Sequence, residues 1–172
     1  VQRTGAFCNE VAMFSITLLC MGKLKEKFYT AAAEEYSKRL RAFADFRIVE
    51  LPEYRLPDDP NETQIAQGLA REAEAIRKAI PKGAWLCVLT PEGRLLSSEE
   101  LASALHGVKT GGRSAACFLI GSSFGIDPSI KAMADLKLSM SKMTFPHHLA
   151  RVMALEQLYR AESIQAGTKY HK

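Results

Sequence analysis

The sequence predicts an α/β protein: a mostly parallel sheet with helices on both of its faces. Three observations predict it. Strand-like and helix-like segments alternate from Phe14 to Ile164, the order that crossover-connected parallel strands require. The runs Ala84–Thr90 and Ser114–Ile120 are almost wholly apolar, the mark of strands covered on both faces. No internal repeat and no low-complexity tract interrupts the alternation.

Each element has a local reason. Phe14-Ser-Ile-Thr-Leu-Leu-Cys-Met21 alternates and then runs apolar, as a strand entering a buried sheet does, and Gly22 ends it. From Lys23 to Ala42 the residues Leu24, Phe28, Tyr29, Ala32, Tyr36 and Leu40 form a helical stripe with charges between them. Phe46–Leu51 reads as a second strand, closed by Pro52, and the Pro- and Asp-rich stretch to Pro60 reads as a loop. Asn61 caps a helix to Ala79, with Ile65, Leu69, Ala73 and Ile76 on its apolar face. After Pro81-Lys-Gly83 comes the strand Ala84–Thr90, then Pro91-Glu-Gly-Arg94 as a turn. Ser97-Ser-Glu-Glu100 opens a helix with a serine cap and early acids, reaching about Val108 before Gly111-Gly112. The strand Ser114–Ile120 ends at Gly121; a short helix over Ile130–Ala134 and a short strand over Leu136–Met140 follow. Pro146 sits in the first turn of a last helix, where its missing N–H costs nothing, and Gly167 closes that helix.

A chain of 172 residues, 47% hydrophobic and 24% charged, fits one globular domain around a single core. No apolar run reaches the roughly 18 residues that cross a bilayer, so no membrane partner is expected. Residues 1–12 lack the long apolar stretch of a secretion signal and read as an N-terminal extension or a remnant of cloning. Met13 is the natural start of a single domain over residues 13–172. Cys8, Cys20, Cys87 and Cys117 show no CxxC and no metal-ligand spacing, which argues against a disulfide framework or a metal site and fits a reducing cytoplasm. The charge is uneven: from Lys131 onward seven Lys/Arg face three acids, which is the whole surplus of +4. Such a cluster is either a solvated face or a surface for an anionic partner such as RNA phosphate.

The loops of the last third carry the candidate chemistry. Ile120-Gly-Ser-Ser-Phe-Gly125 is neither G-x-G-x-x-G nor a Walker A loop, so a dinucleotide-binding oxidoreductase is disfavoured and a plain strand-to-helix turn stays open. Met140–Phe145 offers backbone N–H and C=O groups with the Ser141 and Thr144 hydroxyls, a set suited to reading the edge of a planar heterocycle. Alternatively Thr144 simply caps the last helix, and both readings are compatible. That helix has Leu149, Val152, Met153, Leu155, Leu158, Tyr159 and Ile164 as apolar positions, more than one stripe, so either it is central in a monomer or it offers a second face to a partner chain. His147 and His148 follow a helix-starting proline and read as structural or solvated. His171 lies in a terminal Tyr-His-Lys, where chains fray and residues carry no packing duty. No Ser-His-Asp set and no G-x-S-x-G is present, so hydrolase readings are weak.

Several blocks in fixed order resemble the ribosomal RNA large subunit methyltransferase H family, a small branch of the SPOUT methyltransferases. They are Met21-Gly-Lys-Leu-Lys-Glu-Lys27, Leu119-Ile-Gly-Ser-Ser-Phe-Gly125, Leu138-Ser-Met-Ser-Lys-Met-Thr-Phe-Pro-His147, Leu149-Ala-Arg-Val152, Glu156-Gln-Leu-Tyr-Arg-Ala161 and Tyr170-His171. The resemblance covers Met13 to Lys172. It implies a C-terminal trefoil knot whose loops hold S-adenosylmethionine, here through Leu89, Gly121, Met140, Ser141, Lys142, Met143, Thr144 and Phe145, with no metal. It also implies a cytoplasmic homodimer that shares its substrate site between subunits. The activity implied is methylation of N3 of a pseudouridine in large-subunit ribosomal RNA, on the assembled ribosome. Arg160, Tyr170 and His171, with Lys172, match the positions for substrate binding and proton handling. Two residues depart from the family pattern: Ser122 stands where many relatives have a second glycine, and Lys172 where they usually end in arginine. Those departures leave open a non-catalytic RNA- or ribosome-binding protein of the same fold.

Overall fold

The computed structural model describes residues 13–171, so the extension at 1–12, Cys8 and Lys172 lie outside the described residues. The described residues form β1 (Ser15–Met21), α1 (Lys27–Leu40), β2 (Asp45–Leu51), α2 (Glu62–Ala79), β3 (Trp85–Leu95), α3 (Ser98–Thr110), β4 (Ala115–Ile120), α4 (Pro128–Ala132), β5 (Leu136–Ser139) and α5 (His147–Gln165). The strands make one sheet in the order β2-β1-β4-β3-β5, and every pairing is parallel. The alternation of strand and helix thus gives the expected sheet, and its C-terminal strand ends share one edge. No described helix is long and apolar enough to cross a membrane.

Alternate strand residues feed two cores. Ile16, Leu18 and Cys20 of β1 and Ala116, Phe118 and Ile120 of β4 pack with Leu40 of α1, Leu101 and Leu105 of α3, and Leu155 and Leu158 of α5. Leu19 and Met21 of β1, with Cys117 and Leu119 of β4, face Ala73 and Ile76 of α2 and Ile130 of α4. This period-two division explains why β1, β3 and β4 read as continuous apolar runs. Cys20, Cys87 and Cys117 are buried free thiols, and burial pushes the Cys20 and Cys117 thiols up to about 12.

The helix ends follow the sequence chemistry. Asn61 and Gln64 form a capping box at α2, as do Ser97 and Glu100 at α3. The last helix closes in a Schellman arrangement, with Gly167 N–H donating to Ile164 O and Thr168 N–H to Ser163 O. The α5 helix lies on the sheet between α1 and α3.

Two expectations are corrected. Pro91-Glu-Gly-Arg94 is not a turn between elements: β3 continues to Leu95, and Leu138 of β5 pairs with both Leu89 and Arg94. The chain from Thr90 to Gly93 bulges out of register beside β5, and it approaches so closely that a Cβ at Gly93 would lie 2.6 Å from the Leu138 carbonyl carbon. Thr144 does not cap α5; the N-cap residue is Pro146, and no side chain caps that end.

Candidate functional site

A cavity of about 510 Å³ opens where β3, β4 and β5 end. Leu89, Thr90 and Pro91 form one wall; Ile120, Gly121, Ser122, Ser123, Gly125 and Ile126 form the second; Leu138 to Ser141 and Met143 to His147 form the third. Of the residues expected to hold a cofactor, Leu89, Gly121, Met140, Ser141, Met143, Thr144 and Phe145 all line this one space. Lys142 is not among the lining residues and is exposed.

The walls are shaped by backbone proximity and local hydrogen bonds. A Cβ at Gly121 would lie 2.4 Å from both Gly125 O and Ile126 Cγ1, so only glycine fits that turn. Gly125 N–H donates to Ser122 O at 2.9 Å and closes the turn. In the facing loop the Ser139 hydroxyl donates to Ser141 O, and Met143 N–H donates to Ser141 Oγ. These bonds organise residues 139–143 without help from another element. The start of α5, which ends the loop, is pinned by Arg151. This fully buried guanidinium pairs with Glu50 and donates to Gly22 O at 2.8 Å, tying α5 to the ends of β1 and β2.

Ser122 is absorbed by the fold. Its hydroxyl donates to Glu72 Oε2 at 2.9 Å, while Tyr54 N–H donates to Glu72 Oε1 at 2.9 Å. Glu72 is buried on α2; burial raises its carboxyl pKa, the two donors oppose that rise, and nearby Glu53 adds to it. Sequence reading missed Glu72, although a signal was present. It falls three residues after Leu69 and four before Ile76, on the apolar stripe of its own helix, where a charged residue calls for a partner.

Two basic side chains line the cavity, and both are subdued. Lys131 pairs with Glu92 from the bulge in β3, and that contact first of all brings Glu92 down to about 2. The His147 pKa is lowered by burial first and by His148 next, with Glu53 opposing, so the neutral imidazole is favoured. A mostly apolar cavity with a quiet electrostatic lining suits a planar heterocycle carried on a cationic ligand. Neither Lys131 nor His147 stood out as a lining residue in the sequence.

The tail residues gather elsewhere. Arg160 Nε donates to Glu156 Oε1 at 3.0 Å and stacks over the Tyr170 ring at 4.8 Å. Tyr170 packs edge-on against Tyr159 at 4.6 Å and donates its hydroxyl to the same Glu156 oxygen. Burial first, and then contact with Tyr36 and Glu156, pushes the Tyr170 phenol up to about 12. His171 Nδ1 faces Arg160 Nη1 at 3.3 Å, and Nε2 faces Glu99 Oε1 at 2.8 Å. Arginine can only donate and carboxylate only accept, so the geometry selects the neutral Nε2–H tautomer. Hydrogen bonding from its own backbone N–H and then from His171 holds Glu99 at about 2. The terminus thus has packing duties that the sequence reading denied it.

Arg160, Tyr170 and His171 do not line the cavity. Ala150 does, and Arg160 lies ten residues further along α5, about 15 Å at helical rise. Between them runs a second, apolar groove of about 390 Å³ that shares Leu89, Leu138, Ser139 and Met140 with the cavity and carries Glu156 in its lining.

Comparison with known proteins gives a consistent result. A family model described as "Predicted SPOUT methyltransferase" matches residues 14–171. Ribosomal RNA large subunit methyltransferase H of Moorella thermoacetica is 43% identical over 160 residues, covering 93% of this chain and 100% of the relative. The protein of the same name from Bifidobacterium adolescentis is 45% identical over 157 residues, covering 91% and 99%. Among solved structures, a probable methylase family protein from Haemophilus influenzae Rd KW20 matches with a TM-score of 0.50 at 15% identity, covering 91% of this chain and 70% of that one; at that identity it speaks for the fold alone.

Proposed function

The chain belongs to the SPOUT methyltransferase family, and from that premise we propose that it is a ribosomal RNA methyltransferase that moves a methyl group from S-adenosylmethionine to N3 of a pseudouridine in the large subunit. The observation that carries this reading is the convergence of Leu89, Gly121 and the Met140–Phe145 loop, far apart in sequence, on one cavity at the strand ends. The backbone groups of residues 139–145 would hold the adenine edge, and the apolar lining that includes Leu89, Leu138 and Met140 would keep water from it. When bound, S-adenosylmethionine supplies a methyl group on a sulfonium that leaves as a neutral thioether. A neutral His147 and a Lys131 already paired with Glu92 leave little positive potential to oppose that cation.

The chain's own residues then have limited work: to align the nucleophile, exclude water and receive one proton. N3 of the base carries an imide proton that is lost as the N–C bond forms. His171 accepts that proton at Nδ1, the nitrogen that now faces Arg160, and Arg160 steadies the anion formed on the base. Tyr170 offers a ring for stacking, and Lys172, outside the described residues, adds a cation for phosphate. In one chain these groups stand about 15 Å along α5 from the cavity, which supports a homodimer in which the tail of one subunit serves the cavity of the other. The family resemblance implies a C-terminal trefoil knot, and the bulge of residues 90–93 against the backbone of β5 gives that end of the sheet the close chain crossing such a knot needs. The substrate places the enzyme in the cytoplasm, on the ribosome.

The reading of a non-catalytic binder gains nothing from Ser122, because its hydroxyl is turned onto Glu72 and accommodated there. The deciding experiment is transfer of labelled methyl to ribosomes from cells that lack this modification. Label in large-subunit RNA at a pseudouridine is expected. Protein that is folded and binds S-adenosylmethionine yet transfers no label would refute the assigned substrate.

A further inference from the structure

Three cations of the C-terminal cluster are paired within the fold: Lys131 with Glu92, Arg151 with Glu50 and Arg160 with Glu156. A second group of lysines lies near the other end of the described residues. Between β1 and α1, Leu24 turns inward onto the core and its N–H donates to Glu50 Oε1, so Lys23 and Lys25 on either side turn outward. Lys27 opens α1 and is exposed as well. Among the described residues none of these three lysines joins an ion pair. The one acid among them, Glu26, places its Oε2 3.2 Å from His148 Nδ1.

Next to the lysines stands Phe28, 67% exposed on the first turn of α1. A single exposed aromatic ring is ordinary, but this one ends a row of rings that begins in the cavity. His147 lines the cavity; its ring lies 4.2 Å from His148, His148 lies 6.2 Å from Tyr29, and Tyr29 lies 4.3 Å from Phe28. Unpaired nucleotides are held by this combination of an aromatic platform for the base and cations for the backbone.

We propose that Lys23, Lys25, Lys27 and Phe28 form an RNA-binding surface beside the cavity of the same subunit, with an unpaired base stacked on Phe28 and neighbouring phosphates on the lysines. The inference rests on the proposed function and extends it, since the tail was until now the only assigned contact with substrate. The surface holds the RNA strand at the start of α1, beside the cavity.

The test uses the full-length protein and large ribosomal subunits from cells lacking the modification. Phe28→Ala is expected to raise KM for the subunits on the order of tenfold, through loss of one stacked base. Turnover number and S-adenosylmethionine affinity stay unchanged, and Phe28→Trp restores the KM. Replacing Lys23, Lys25 and Lys27 together by Gln is expected to flatten the plot of log affinity against log salt by about 2, the loss of three phosphate contacts on a single strand. An unchanged KM in Phe28→Ala, or an unchanged salt slope in the lysine variant, overturns the inference. So does dissociation of either variant into smaller species on sedimentation, which assigns the patch to contact between copies of the chain. If the unaltered protein methylates no ribosome, the proposed function falls instead, and co-sedimentation of the same variants with the subunits still decides whether this surface binds them.

Discussion

Replacing Gly121 by alanine probes the cavity with a single methyl group. The added Cβ would meet Gly125 O and Ile126 Cγ1 at 2.4 Å and the Gly125 carbonyl carbon at 2.9 Å. Ordinary contact for such atoms is about 3.5 Å, so the Gly121–Ile126 turn must open by roughly 1 Å. It cannot do so by a rotamer change, because the obstructing oxygen is backbone and Gly125 N–H is bonded back to Ser122 O. Overpacking of this kind costs about 1–3 kcal/mol of stability. A displacement of about 1 Å in a wall that aligns the donor is expected to cost on the order of 10²-fold in turnover. The assay pairs calorimetric titration of S-adenosylmethionine with labelled methyl transfer to large subunits and a thermal melt. Gly107→Ala is the control. It lies on α3 with open space around its Cβ position, so the same chemical change should raise stability by up to about 1 kcal/mol and leave activity alone. If Gly121→Ala binds the donor and turns over like the unaltered protein, the turn does not border the donor and the cavity assignment fails.

Two further outcomes follow from buried carboxylates. Folded Glu72 titrates above its unfolded value, chiefly through burial, so its contribution to stability is complete below the ordinary carboxylate range and is lost as pH rises through the folded value. Glu72→Gln removes that loss: its stability relative to the unaltered protein should climb across this interval and level off above it, as read by urea unfolding from about pH 4 to pH 8, and a pH-independent difference would contradict the assignment. Glu162 on α5 is almost fully buried and receives the Lys109 ammonium from α3 at 2.6 Å. Lys109→Ala strands that charge and should cost about 3 kcal/mol, whereas Lys109→Met with Glu162→Leu should return to within about 1 kcal/mol of the starting stability; equal losses in both, measured by denaturant midpoint, would show that the pair does not anchor α5 to α3.

What was legible in the sequence was local. Apolar runs marked β1, β3 and β4 because a strand covered on both faces has no polar side to show. Asn61 with Gln64 and Ser97 with Glu100 marked helix starts because a capping box is complete within four residues. The features that escaped are those whose partner is distant in the chain. Pro91-Glu-Gly-Arg94 carries every signal of a turn, and only pairing with β5 makes it strand. Lys131 and Arg151 looked like part of a free basic surface because their acids, Glu92 and Glu50, lie 39 and 101 residues away in the chain. For the candidate site, the resemblance supplied the residue set, and the physical pattern alone supplied two loops at strand ends. The cavity adds what neither contained: Lys131, His147 and the Glu72–Ser122 bond around the expected positions.

The tail's attachment bears on how loss of activity in tail variants is to be read. His171 is held by Glu99 on the surface and by Arg160, and Tyr170 by a ring contact and a bond to Glu156. None of these residues belongs to either buried core. Exposed polar contacts contribute little to stability because water competes for both partners. His171→Ala should therefore leave the melting curve and donor affinity where they are, since the cavity lies about 15 Å along the helix from Arg160. A fall in methyl transfer under those conditions is then a statement about the substrate and its proton, not about folding. Full activity would instead strike His171 from the proton path while leaving the cavity, and the family to which the chain belongs, untouched.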